Sequence, residues 1–194
     1  REVEIMSFSL DLKEFIEKAK GNVEVVTQKA AIDLLRAVID RSPVGNPELW
    51  AANAVAVQYN KEVADLNVAM RTPENQRKNG SMKPGLLIRD GMDLTAGADY
   101  VGGHFRGNWQ VSFDAAKTGT LDRIDPKGAD TKNEGESVIK SFTTGVGSIW
   151  MMNNMSYSLA LEYGHSSQAP AGMTRISSLE FQTFIDKAVS ELPK

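Results

Sequence analysis

Ile149-Trp150-Met151-Met152-Asn153-Asn154-Met155-Ser156-Tyr157-Ser158-Leu159-Ala160-Leu161-Glu162-Tyr163-Gly164 changes hydropathy period halfway along. Over 146–153, Ile149 and Met151 fall on one alternating face and Trp150 and Met152 on the other. Both faces are apolar, the pattern of a central strand with two covered sides. Asn153-Asn154 is a polar break. Tyr157 to Tyr163 then reads as a short helix that ends at Gly164, a residue suited to the left-handed C-cap position. A strand feeding a short helix and then a loop over 164–172 points to an α+β fold.

The rest of the chain extends this pattern. Phe105, Gly107, Trp109, Val111 and Phe113 alternate with Arg106, Asn108, Gln110 and Ser112, which predicts a half-buried strand over 105–113. Before it, Asp11 with Glu14 three residues later forms a capping box for a first helix bearing Leu12, Phe15, Ile16 and Ala19 on one face. Gly21-Asn22 punctuates the chain. Val23, Val26, Ala30, Leu34, Ala37 and Val38 mark a second helix, which stops near Arg41 because Pro43 disfavours helical geometry at Ser42. Asn46-Pro47 reads as the cap and first residue of a third helix over 48–70.

Residues 71–99 are rich in Gly, Pro, Asn and charge and read as a long loop, with 86–88 as its one ordered piece. Residues 117–136 read as a second, polar loop, followed by one or two helical turns over 137–142. Met173 to Ile176 reads as a short strand. Ser177 or Ser178 then caps a last helix carrying Leu179, Phe181, Phe184, Ile185, Ala188, Val189 and Leu192. The expected architecture is α+β: a small antiparallel sheet packed against long N-terminal and C-terminal helices, with long loop insertions. It forms one domain over 1–194, with an insertion at about 51–99 and a polar loop at about 117–136.

Composition excludes several chemistries. The 194 residues contain no cysteine, so disulfides, thiolate metal sites and cysteine nucleophiles are absent. The net charge of −3 lacks the basic excess of a general nucleic-acid binder. No apolar run is long enough to span a bilayer, and the first five residues, Arg1 to Ile5, hold no apolar signal-peptide core. His104 and His165 sit among glycines and small polar residues without ligand-type neighbours, and read as loop histidines. Ser137-Val138-Ile139-Lys140 and Lys117-Thr118-Gly119 match two motifs of penicillin-recognising enzymes. Their order is reversed, and the Ser-Asp-Asn element is missing. No glycine pattern forms a phosphate cradle. Alternation puts Phe105 and Trp109 opposite Arg106, so core packing explains both rings better than base stacking does.

In order, Ser42-Pro43-Val44, Arg106 to Trp109, Ile149 to Asn154, Tyr157 with Glu162-Tyr163-Gly164, Ala169 to Gly172, and Phe181 onward resemble the tail-completion, or neck, proteins of long-tailed bacteriophages. The resemblance covers about residues 10–50 and 100–192. It departs from the family pattern in the roughly fifty residues inserted from Trp50 to Asp99. The resemblance implies a non-enzymatic virion protein without cofactor or metal, part of a ring at the head-proximal end of the tail that serves head–tail joining. Its implied partners are copies of itself in six-fold or twelve-fold symmetry, and neighbouring neck, connector, tail terminator or tail tube proteins. DNA passes through the channel without sequence-specific binding, and no membrane is involved. The implied location is the virion, assembled in the host bacterial cytoplasm. A tail terminator or head-side connector is the alternative within this class; a small hydrolase or carbohydrate-binding module is the alternative outside it. Arg106, Asn154, Tyr157, Glu162 and Gly164 are the candidate interface or motif residues. Trp109, Trp150 and Tyr163 are the candidate core. Arg106 and Glu162 are expected to form a structural ion pair or an intersubunit contact.

Overall fold

The helix expected to break at Gly21-Asn22 does not break. The structure, a computed structural model, describes residues 2–96 and 99–192, with side chains described from residue 17 onward. Helix α1 runs Glu2–Arg41. A β-carbon placed on Gly21 meets nothing within 4 Å, so Gly21 is a local propensity cost of about 1 kcal/mol that the long helix absorbs. Asp11 lies inside α1 and not at its start; its side chain and that of Glu14 lie outside the described residues. The helix stops at Arg41 as expected, and the Ser42 N–H closes the last turn on the Ile39 carbonyl at 3.1 Å.

Two compact units follow from the chain contacts, residues 1–44 with 102–194, and residues 45–101. In the first, β1 (Trp109–Phe113) pairs antiparallel with β2 (Ile149–Asn153), with Val111 opposite Met151 and Trp109 opposite Asn153. Helix α3 spans Ala129–Ile139, α4 Ser158–Glu162, α5 Thr174–Leu179 and α6 Phe181–Ser190. This is an α+β fold, a two-stranded sheet with the long N-terminal and the C-terminal helices against it. The core joins Leu35, Val38 and Ile39 of α1 to Phe105, Trp109, Val111, Ile139 and Met173. Helix α6 runs back along α1. The ion pairs Arg41–Glu180, Asp33–Lys187 and Lys29–Glu191, at 2.8, 2.7 and 3.0 Å, mark that register. As exposed pairs they fix orientation more than they add stability.

Several expected elements are different. Residues 105–108 are not strand; Arg106–Asn108 form a 3-10 turn. The strand face expected to be exposed is covered instead, with Asn108 and Gln110 buried. Asn108 donates to the carbonyls of His104 and Leu121 and accepts from the Leu121 N–H at 2.6 Å. Gln110 donates to the Gly119 carbonyl at 3.0 Å. The 117–123 segment therefore lies over that face, held by amides that alternation alone reads as solvated. β2 is not central, because the sheet has only two strands.

The second half of the polar loop is helix. Asp125 accepts from the N–H groups of Ala129 and Thr131 and from the Thr131 hydroxyl, at 3.1, 2.9 and 2.8 Å. Burial opposes its charge, but these donors win, and its pKa lies below the ordinary aspartate value. Gly135 lets α3 approach α1 closely: a β-carbon there would stand 2.5 Å from Leu35 Cδ2. Glu136, also buried, meets Arg36 Nε at 2.6 Å. The composition of α3 is polar because its inward face carries Thr131, Gly135 and Glu136, with Ile139 as its one fully buried large apolar residue. Asp125→Ala is expected to cost about 1–2 kcal/mol, the upper range for a lost cap. Thermal unfolding checks this, together with faster amide exchange at Ala129 and Thr131.

Of the residues expected to be a strand at 173–176, 174–176 belong to α5 and Met173 precedes it, for a reason given below. Ser177 is buried inside α5 and is not a cap for α6.

The second unit begins as Asn46-Pro47 predicts. Asn46 Oδ1 accepts from the Glu48 N–H at 3.0 Å and Pro47 is the first helical residue. Two 3-10 turns, Pro47–Leu49 and Ala51–Asn53, precede α2 at Ala54–Ala69. Asn53, Asn60 and Asn67 recur every seven residues and so share one side of the helix. Each grips backbone: Asn67 both donates to and accepts from Ile88, Asn60 does the same with Met92, and Asn53 accepts from the Thr95 N–H. From Asn53 to Asn67 the helix rises about 21 Å. An extended chain from Ile88 to Thr95 covers about 23 Å. The two lengths match, so the long segment beyond 86–88 is ordered along α2. Only the Asn spacing signals it in the sequence.

Candidate functional site

Ser42 is the hub of the first unit's sequence motifs. It is fully buried. Its hydroxyl donates to the Val38 carbonyl at 2.9 Å and accepts the Trp109 indole N–H at 2.7 Å. Its carbonyl accepts from Arg106, whose Nε lies 3.0 Å away. Arg106 also reaches the carbonyls of Asp40, at 3.2 Å, and Pro126, at 2.8 Å. A helix C-terminus presents unsatisfied carbonyls and partial negative charge, and a guanidinium answers both. Burial lowers the Arg106 pKa, while the carboxylates of Asp40 and Asp125 raise it; an arginine stays charged throughout.

The neighbouring motifs close on the same place. Gln168 donates to the Val44 carbonyl at 2.7 Å and accepts from the Val44 N–H at 3.2 Å, tying the Ala-Pro loop to the Ser-Pro-Val segment. Asn153 donates to the Phe105 carbonyl at 2.8 Å. Asn154 donates to the carbonyls of Lys117 and Gly119 at 3.0 and 2.9 Å. Glu162 accepts from the N–H groups of Met173, Thr174 and Arg175 at 2.9, 3.0 and 3.0 Å, and so caps α5 from eleven residues away. This remote cap is why 174–176 are helical, not a strand. Burial pushes the Glu162 pKa up, but the three backbone donors overcome it and hold the pKa at about 2. Gly164 adopts φ +88, the left-handed value that ends α4, and a β-carbon there would meet the Pro170 carbonyl at 2.6 Å.

Arg106 and Glu162 therefore do not form an ion pair with each other. Each satisfies a helix end, and Glu162 meets Arg175 at 3.4 Å instead. Of the three expected core aromatics, Trp109 is buried and packs edge-on to Phe105 at 6.3 Å. Trp150 is 45% exposed, opposite Ser112 on the outer face; its indole N–H donates to Ser148. Tyr163 is 69% exposed, with the Arg175 guanidinium 5.0 Å from its ring centre. The Tyr157 ring packs on Phe105 at 5.9 Å. His104 is held by the Leu121 carbonyl at 3.0 Å.

Asp125, Asn108 and Gln168 contribute as much hydrogen bonding as the expected residues and were not singled out by sequence. Asp125-Pro126-Lys127-Gly128 is a turn sequence ahead of a helix, the one local signal for the first of them. Among the described residues every buried side-chain nitrogen and oxygen has a partner. No group of three or more His, Asp or Glu among them could hold a metal ion, and no described helix is long and apolar enough to cross a membrane. An open apolar groove of about 480 Å³ lies beside Trp109.

Comparison with protein-family models, curated proteins and solved structures gives no match for this chain.

Proposed function

We propose that this chain is a structural virion protein of the phage neck, part of a ring at the head-proximal end of the tail that is needed for head–tail joining. One observation carries the reading. The sequence elements behind the resemblance meet in three dimensions: Ser42 with Trp109 and Arg106, Val44 with Gln168, and Phe105 with Asn153. The residues involved are helix ends, turns and their caps, which suits a scaffold whose function lies in its surfaces.

A net charge of −3 suits a channel through which DNA slides, since tight phosphate binding would arrest it.

Electron microscopy of lysate from a phage carrying a nonsense mutation in this gene tests the reading. DNA-filled heads beside detached tails are expected. Normal infectious particles overturn it. The position of the subunit in a virion reconstruction separates the neck from a tail terminator or a head-side connector.

A further inference from the structure

The charge of the chain is unevenly spread. Its net value is −3, yet residues 71–89 carry Arg71, Arg77, Lys78, Lys83 and Arg89 against Glu74 alone. All five cations are exposed. Every ion pair among the described residues lies in the first unit, and none of these five meets a carboxylate. Asp90, next to Arg89, accepts instead from the Tyr59 hydroxyl at 3.1 Å, and Lys83 Nζ donates to the Glu74 carbonyl at 2.8 Å. The fold of the second unit gathers the five at one end of α2. The Asn75 side chain donates to the Met70 carbonyl at 2.8 Å, just past the last turn of that helix. A short hairpin follows. The Arg77 N–H donates to the Ser81 carbonyl at 2.7 Å, the Lys83 N–H to the Asn75 carbonyl at 2.9 Å, and Gln76 bridges Met82. Asn79 fixes the tip by accepting from the Ser81 N–H and hydroxyl at 3.2 and 2.8 Å, and Gly80 supplies the φ of +80 that the turn requires. Bridge partners share a face. Gln76 and Met82 are half-buried, and Arg77 and Lys83, one residue further on, fall on the exposed face. Asn67, in the last turn of α2, holds Ile88, which sets Arg89 at the same helix end as Arg71.

We propose that this basic hairpin binds the phosphate backbone of double-stranded DNA without reading its sequence. Charge complementarity names the partner. Uncompensated Arg and Lys beside Asn, Ser and Gly are the groups that contact phosphate oxygens. Residues 71–89 hold no aromatic ring. The patch therefore lacks the stacking platform of a single-strand binder and the aromatic anchor of a protein–protein hot spot. The hairpin's own hydrogen bonds hold its backbone in place before binding, which spares part of the ordering cost. Five cations do not hold DNA firmly at physiological salt, so the contact is weak and salt-labile. The segment lies in the insertion that the family resemblance does not cover, and the inference stands apart from the virion reading.

Fluorescence anisotropy of two labelled DNA duplexes of unrelated sequence, titrated with the full chain, tests this. Both are expected to bind equally at about 50 mM salt, and the association constant to fall on the order of 100-fold by about 200 mM, as the release of four or five counterions requires. The double variant Arg77→Gln with Lys78→Gln is expected to lower the slope of log K against log salt by about 2 and to weaken binding at low salt on the order of tenfold or more. Lys18→Gln with Lys127→Gln removes the same charge from exposed sites of the first unit and is expected to leave the slope unchanged. Circular dichroism checks that both variants fold. Absence of binding by the unsubstituted chain at about 50 mM salt overturns the proposal. So does an equal loss in the two variants, the mark of a bulk-charge effect, or a strong preference for one duplex. Retention on vesicles of anionic phospholipid without binding to DNA overturns it as well.

Discussion

Trp109→Ala lowers the stability of the first unit by about 3–5 kcal/mol, the range for removing a large buried aromatic. The ring is 7% exposed and touches the core edge-on through Phe105. Its indole N–H supplies the donor that Ser42 Oγ accepts at 2.7 Å, deep between α1 and the sheet. Removing the ring opens a cavity beside the apolar groove and leaves a buried hydroxyl lone pair without its donor, a further cost of about 1–3 kcal/mol where no water reaches it. Trp109→Phe separates the two effects, since it keeps most of the volume and loses only the donor; about 1–2 kcal/mol is expected on that ground. Chemical denaturation followed by circular dichroism measures both. An unchanged midpoint for Trp109→Ala contradicts the burial of the ring.

Glu162→Gln costs about 2–3 kcal/mol at pH 7, the value of charge-assisted hydrogen bonds to a largely buried carboxylate. The carboxylate accepts from three successive backbone N–H groups at the start of α5. An amide offers one acceptor oxygen and turns its NH₂ against those same donors. The folded-state pKa of about 2 lies below the ordinary glutamate value of 4.5. A depressed pKa means that the unfolded chain binds the proton first as pH falls. The contribution is therefore complete above about pH 5 and lost as pH drops from there towards 2. Urea unfolding of the parent chain at pH 7, 4 and 3 is expected to show this decline, and Glu162→Gln is expected to flatten it. A variant with the same pH dependence as the parent removes Glu162 from that role.

The two substitutions also mark where local sequence is informative. Trp109 announces itself, because its neighbours Val111 and Phe113 alternate with polar residues in a run that has to be a strand. Glu162 is legible as the end of a short helix before Gly164. Its main task is not, because its three partners lie eleven to thirteen residues ahead and are backbone atoms with no side-chain signature. The same blindness explains α3. Asp125 caps it from outside, and small or polar residues face its partners, so hydropathy periodicity registers a polar loop. Gly21-Asn22 shows the opposite error: a local breaker signal was overridden by the helix on either side of it.

By itself the sequence determined the class of fold, the end of α1 before Pro43, a strand within 105–113 and another within 146–153, the cap at Asn46-Pro47 and the left-handed stop at Gly164. Each depends on one residue's backbone preference or on a period within a few neighbours. Tertiary structure alone decided that Trp150 and Tyr163 face outward, that Arg106 and Glu162 serve different helix ends, and that three asparagines pin 88–95 along α2. Those outcomes depend on which segments meet, as far apart in the chain as Arg106 and Asp40, and a buried hydrogen bond is specified by both partners at once, never by one.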